Sequence, residues 1–246
     1  MSAEQPLAPG IFVTGTDTGV GKTLVAAALA RHLRDQGLRV GVMKPAETGV
    51  VDPAQEGPDA ALLRWAADCR APLDDVAPVR LRRPLAPSLA ADKDKAFIDF
   101  GGLVESSRRL RREHDFVIVE GAGGLMVPLA GGLLMADLAL AMKLPMLVVC
   151  RPHLGTINHS LLTVFCAQTL GLSVAGFLIN GMPAHPDEAM SEAPHTLASL
   201  VPADLFGVLD EVAGGDRDKV VALARQIPEL PTYRILRRNL AWPDKF

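Results

Sequence analysis

The stretch Ile11-Phe-Val-Thr-Gly-Thr-Asp-Thr-Gly-Val-Gly-Lys-Thr23 decides how the chain folds. Ile11 to Val13 are apolar and partly β-branched, the mark of a short buried strand. Gly15, Gly19 and Gly21 follow, where the backbone must turn tightly. Lys22 and Thr23 then open an Ala/Leu-rich helix expected to run to about Gln36. Strand, glycine loop, Lys-Thr and helix together form a phosphate-binding loop. Its amides and the positive helix end suit a polyphosphate. Lys22 is expected to reach the outer phosphates and the Thr23 hydroxyl to ligate Mg²⁺. Five residues, rather than the usual four, separate Gly15 from Gly21.

Working outward, the chain alternates strand and helix signals. The helix from Lys22 is apolar on most faces, as for a helix buried on a sheet, and Gly37 follows as a stop signal. Arg39 to Met43 reads as a second strand ending at Lys44-Pro45. A lysine there stands either in solvent or at the ligand edge of an open parallel sheet. Thr48-Gly49 continues the loop, and residues 50 to 58 read as surface loop. Asp59 begins a helix to about Asp68. It serves either as a first-turn acid or as a carboxylate for Mg²⁺. Residues 71 to 95 read as an irregular excursion with one short strand near Val79 and a short helix after Pro87. Arg80, Arg82 and Arg83 in it suit a solvated basic face better than an anion site.

Asp99 to Glu113 reads as a helix with arginines in its later turns. Phe116-Val-Ile-Val-Glu120-Gly-Ala-Gly-Gly124 reads as a central strand tipped by a carboxylate. Such an acid partners a phosphate loop, holding Mg²⁺ or its water shell. A helix is expected over Leu134 to Met142, a strand over Pro145 to Cys150, and a helix after His159 ending near Gly171. His153 and His159 lack a third ligand at zinc spacing. Ser173 to Ile179 is the next strand, with Asn180-Gly181 at its tip. Asn180 suits either a purine edge or a tight turn. A helix over Glu188 to Leu200 is expected to break at Pro194. A strand over Phe206 to Leu209 and a helix over Asp218 to Gln226 close the series. Residues 1 to 10 and 228 to 246 read as loose tails. The sum is a doubly wound, mostly parallel α/β sheet with helices on both faces, in one domain of the P-loop NTPase type. Strand tips then place the phosphate loop, Lys44, Glu120 and Asn180 on one edge.

Composition narrows the function. In 246 residues the hydrophobic fraction is 49% and the aromatic fraction 4%, so the core is built from Ala, Val and Leu. A net charge of −3 supplies no basic field for nucleic acid. No run of 18 uncharged apolar residues suggests a membrane span, and Met1 to Pro9 has no signal-peptide pattern. Cys69, Cys150 and Cys166 lie far apart, which argues against disulfides or zinc and for a reducing, cytoplasmic setting.

The ordered motifs resemble a known family. They are Gly15-Thr-Asp-Thr-x-Val-Gly-Lys-Thr23, Lys44-Pro-x-x-Thr48-Gly, Asp59-Ala, Val119-Glu-Gly-Ala-Gly-Gly124 and Leu154-Gly-Thr-Ile-Asn-His159. Over about residues 11 to 212 the chain resembles ATP-dependent dethiobiotin synthetase. The resemblance implies a homodimeric ligase of biotin biosynthesis that uses ATP, CO2, Mg²⁺ and diaminopelargonic acid. It implies that Lys44 and Lys22 are catalytic and that Thr23, Asp59 and Glu120 hold Mg²⁺. It assigns the nucleotide to Gly19, Val20, Gly21, Lys22, Thr23, Leu24, Asp59, Glu120, Gly121, Ala122 and Gly123. Asn180 and Gly181, with Asp210, Glu211 and Val212, are implied to face the adenine. Thr18, Thr48, Leu154 and Gly155 are implied to bind the substrate. Gly19 stands where many members carry an acid, and Ala86-Pro87-Ser88 where Ser-Pro-His is usual. Two rivals share the fold class. Partition and septum-positioning regulators usually carry a second lysine where Asp17 stands here. The amino-terminal domain of a cobyrinate amidotransferase requires a glutaminase domain as well.

Overall fold

The computed structural model describes residues 7–243. The first half of the chain forms β1 (Gly10–Gly15), α1 (Lys22–Asp35), β2 (Val40–Met43), β3 (Ala46–Thr48), α2 (Pro58–Ala67), α3 (Leu73–Val76), β4 (Val79–Leu81), α4 (Pro87–Asp94) and α5 (Phe100–Glu113). The second half forms β5 (Phe116–Gly124), β6 (Pro128–Ala130), β7 (Leu133–Leu134), α6 (Met135–Met142), β8 (Met146–Cys150), α7 (Thr156–Thr169), β9 (Val174–Met182), α8 (Glu188–Leu200), β10 (Leu205–Asp210), α9 (Asp216–Gln226) and α10 (Tyr233–Asn239). A single 3₁₀ turn, Ile227–Glu229, joins the last two helices.

Six strands form the main sheet in the order β10-β9-β8-β1-β5-β2, all parallel. Residues Ile11 to Val13, Phe116 to Val119 and Met146 to Cys150 are wholly buried. Such unbroken apolar runs belong to strands covered on both faces. Helix α1 packs against α2 and α9, while α5 packs against α6 and α7 against α8. The doubly wound α/β fold expected from the sequence is therefore present. In α1, Val25 to Ala30 are fully buried. Four alanines in that run let the helix approach the sheet closely.

Several expectations need correction. Thr48 does not lie in a loop: β3 pairs in parallel with β4 outside the main sheet. Pro45 ends β2 and redirects the chain, and a three-residue strand is too short to show a period. Pro194 does not break α8. The Asp187 carboxylate caps that helix by accepting from the Met190 amide at 2.8 Å, and Ala193 and Leu197 bury its inner side. The carboxyl-terminal segment is not loose through residue 243. Leu236, Leu240 and Trp242 are buried, and the Tyr233 hydroxyl lies 2.7 Å from His32 Nε2 on α1. Its aromatic and leucine residues are spread through polar sequence, which hides their common face. Residues 7 to 10 are also anchored: the Ala8 amide donates to Arg111 O at 3.0 Å, and β1 begins at Gly10. The rest of both expected tails lies outside the described residues.

Candidate active site

The phosphate loop joins β1 to α1. Gly21 precedes the helix in the left-handed region, at φ 89°. A Cβ at Gly21 would lie 2.2 Å from Asn180 Nδ2. Only glycine admits both that conformation and that approach. Asn180 uses the space to donate to Val20 O at 3.1 Å, tying β9 to the loop. Lys22, the first residue of α1, folds back over the loop and donates from Nζ to Asp17 O at 2.9 Å. Burial holds the Lys22 ammonium below its usual pKa, against the pull of Glu120 and Asp59.

Beside the loop is a compact charge cluster. The Thr23 hydroxyl donates to Glu120 Oε1 at 2.8 Å. Lys44 Nζ lies 2.6 Å from the same oxygen and 2.7 Å from Asp59 Oδ2. Glu120 is fully buried and Lys44 4% exposed. Burial opposes the charge on Lys44, but Glu120 and Asp59 outweigh it and raise its pKa. Burial lifts the Glu120 carboxyl despite Lys44. Glu120 lies within β5 rather than at its tip, because that strand continues to Gly124 beside Gly15 of β1. Asn180 and Gly181 lie within β9 for a similar reason: the ladder with β10 continues to Met182.

These groups line two adjoining cavities. The first, of about 380 Å³, is lined by Thr18, Gly19, Gly21, Lys22, Thr23, Leu24, Lys44, Ala46, Thr48, Asp59, Glu120, Ala122 and Gly123. The second, of about 250 Å³, shares Gly19, Gly21 and Leu24 and adds Val20, Asn180, Gly181, Asp210, Glu211 and Val212. Arg151 and Lys219, which were not singled out in the sequence, also line it, as does His153, weighed there only as a zinc ligand. Gly121 lines neither cavity; a Cβ there would press on the Phe12 ring at 3.0 Å. Leu154, 84% exposed, and Gly155, at the start of α7, also line neither.

Glu47 is a further residue that the sequence reading missed. It is buried, and its carboxylate accepts from the Asp59 amide at 2.7 Å and the Ala60 amide at 3.2 Å. Only the short strand β3, invisible as a period, aims it there.

A buried carboxylate oxygen, Glu120 Oε2, has no hydrogen-bond partner. With the Thr23 hydroxyl and the Asp59 carboxylate nearby, it suits a hard divalent cation that takes its other ligands from phosphate and water. The arrangement is that of a P-loop nucleotide-binding α/β protein. The AAA domain family matches residues 9–218. The ATP-dependent dethiobiotin synthetase of Anaeromyxobacter sp. (strain K) is 44% identical over 81% of this chain and 89% of its own. That of Bacillus subtilis (strain 168) is 37% identical over 88% and 93%. The chain belongs to the ATP-dependent dethiobiotin synthetase family. Solved structures share the fold at low identity. The septum site-determining protein MinD of Pyrococcus horikoshii, complexed with Mg-ADP, has a TM-score of 0.58 at 19% identity, covering 97% of each chain. A ParA family ATPase from Chlorobium tepidum has a TM-score of 0.54 at 12% identity, covering 95% of this chain and 98% of its own.

Proposed function

We propose that the chain is a ligase that converts diaminopelargonic acid, CO2 and ATP into dethiobiotin, ADP and phosphate. The observation that carries the reading is Lys44. It is a second buried ammonium, separate from the phosphate-loop Lys22, in the same cavity as two carboxylates. A nucleotide switch needs its cations in the loop, for the phosphates. A carbamate-forming ligase needs another for the oxyanion of its substrate.

One amine of the substrate adds to the carbon of CO2 and loses a proton, giving a carbamate. A carbamate oxygen then attacks the γ-phosphorus as the bond to ADP breaks. The second amine attacks the carbonyl carbon of the resulting anhydride, expels phosphate and loses a proton, closing the ureido ring. Phosphoryl transfer asks chiefly for alignment and charge neutralisation. Lys22 and the loop amides would hold the β- and γ-phosphates. Lys44 would stabilise the carbamate and the anhydride oxygens. Thr18 and Thr48 would hydrogen-bond the substrate. Thr23, Asp59 and Glu120 would hold Mg²⁺, which supplies neutralisation of phosphate charge when bound. Asn180, Gly181, Asp210, Glu211 and Val212 would surround the adenine in the second cavity.

Leu154 and Gly155 bind substrate in this reading only if a second copy brings them to the cavity. Leu162 and Phe165 of α7 and Met126 are exposed apolar side chains. They support a homodimer in which the start of one copy's α7 completes the other's substrate site. Three free cysteines are consistent with work in the cytoplasm. Incubation with diaminopelargonic acid, bicarbonate, ATP and Mg²⁺ should yield dethiobiotin by mass detection. ATP hydrolysis with no dethiobiotin would refute the assignment, and a monomer by light scattering would refute the shared site.

A further inference from the structure

We infer that Glu47 is a positioning residue, whose buried carboxylate fixes the first turn of α2 and thereby sets the Asp59 carboxylate against Lys44. The inference rests on the Mg²⁺ role proposed for Asp59. A helix start leaves backbone donors without intrahelical partners. Here the N-cap is Gly57, which has no side chain to meet them, and Pro58 has no N–H. The first two free donors are therefore the amides of Asp59 and Ala60. Glu47 reaches across from β3 and gives one oxygen to each, at 2.7 and 3.2 Å. Charge-assisted bonds to a helix N-terminus are both strong and favoured by its dipole.

Gly57 belongs to the same device. A Cβ there would lie 2.3 Å from the Glu47 carboxyl carbon. The residue that could have capped the helix itself is instead the one that leaves room for Glu47. The consequence reaches the cavity through two atoms. Asp59 receives Glu47 on its amide and meets Lys44 Nζ with its carboxylate at 2.7 Å. Glu47 also lies between Lys44 and Thr48 in the chain, so one short segment carries both proposed substrate contacts and the clamp on Asp59.

The test uses the full chain with Glu47→Ala and Glu47→Gln. ATP binding is measured by calorimetry across a Mg²⁺ titration, and once with chelator. Removing a group that orients a metal ligand typically costs about 10- to 100-fold in metal affinity. Glu47→Ala should raise the Mg²⁺ midpoint by at least about 10-fold, leave ATP binding in chelator unchanged, and lower the hydrogen-exchange protection of the Asp59 and Ala60 amides in the ligand-free protein. Glu47→Gln keeps one acceptor oxygen and should fall between Ala and parent; it carries the test if the Ala variant does not fold. In an Asp59→Asn background, Glu47→Ala should shift the midpoint no further. A lowered Tm with an unmoved Mg²⁺ midpoint would overturn the inference, as would additive shifts in the double variant. Parent protein that forms no dethiobiotin would sink the proposed reaction, while the binding titration would still judge Glu47.

Discussion

Lys44→Gln is the perturbation that reads the site most directly. In the free protein the Lys44 ammonium is the shared partner of Glu120 and Asp59, at 2.6 and 2.7 Å. Removing one member of a buried ion pair typically costs about 3–5 kcal/mol, because the other charge stays buried. Two features place this site at the lower end. The glutamine amide can still donate to one carboxylate, and the Asp59 side chain is 37% exposed and can turn to water. A loss of about 3 kcal/mol follows, and in a chain of this size each kcal/mol moves Tm by about 2–4 °C. Ligand-free Lys44→Gln should therefore melt about 6–12 °C below the parent by calorimetry. The gap should narrow toward acid pH. Burial lifts the Glu120 carboxyl, so it takes up a proton readily once Lys44 no longer opposes this. Turnover should fall on the order of 100- to 1000-fold, the usual result of removing one preorganised electrostatic group. ATP·Mg²⁺ affinity should stay near the parent value, because Lys22 and the loop are untouched. A variant with parental Tm at neutral pH would refute the charge accounting. A variant that loses ATP affinity yet turns over normally would refute the placement of Lys44 at the carbamate.

Three other outcomes are expected. Lys22→Ala should lose nucleotide affinity and turnover while keeping its circular dichroism, since the side chain's hydrogen bond to Asp17 O stays within its own loop; tight ATP·Mg²⁺ binding by the variant would contradict the loop assignment. Gly21→Ala should weaken ATP binding by at least about 10-fold, because a left-handed non-glycine residue costs about 1–2 kcal/mol and its Cβ would displace Asn180; calorimetry decides, and parental affinity would show that the Asn180 contact is dispensable. His32, buried against Tyr233, has its pKa lowered mainly by burial. Its folded value thus lies below the unfolded one of about 6.5, so the unfolded chain binds more protons and stability falls as pH drops below that point. Denaturant midpoints measured across that range should decline less in His32→Gln, and an unchanged slope would remove His32 from the account.

The sheet was legible because its strands are buried on both faces and read as apolar runs between glycines. The phosphate loop was legible because its function needs a strand, glycines and Lys-Thr in contiguous order. Lys44 and Glu120 could be placed on one edge by topology alone, since each ends an apolar run. Their direct contact could not: it depends on the register of β2 against β5, in which Met43 pairs with Val119 and so sets Lys44 beside Glu120. Glu47 was hidden for a stronger reason. Its role is to meet a helix start that follows a loop, and neither β3 nor the distance across that loop leaves a period in the sequence. The α10 segment was misread as a tail because Tyr233 and Trp242, which meet His32 of α1, are widely spaced, and a helix as short as Tyr233–Asn239 gives too few positions for a face to repeat.

The shared fold of this chain and the MinD and ParA structures leaves function open, because a P-loop sheet serves switches and transferases alike. Local chemistry makes the distinction. At position 17, where the regulators usually place a second loop lysine, the chain has an aspartate, and the Asp17 carbonyl accepts from Lys22. The second cation instead comes from the end of β2, beside the loop, where it shares Glu120 Oε1 with Thr23. There it is held between Glu120 and Asp59, two groups that a divalent cation would also claim. An ammonium held by its own carboxylates has its charge met without ligand, and so is stable in the buried site. With those carboxylates engaged by a cation, the ammonium would need a new anion within reach of the γ-phosphate. A carbamate would supply that charge, whereas water, the nucleophile of a hydrolytic switch, would not. The same exchange of partners would make Mg²⁺ and carbamate assist each other's binding. Substrate affinity measured with and without Mg²⁺ should therefore differ, and equal affinities would break the argument.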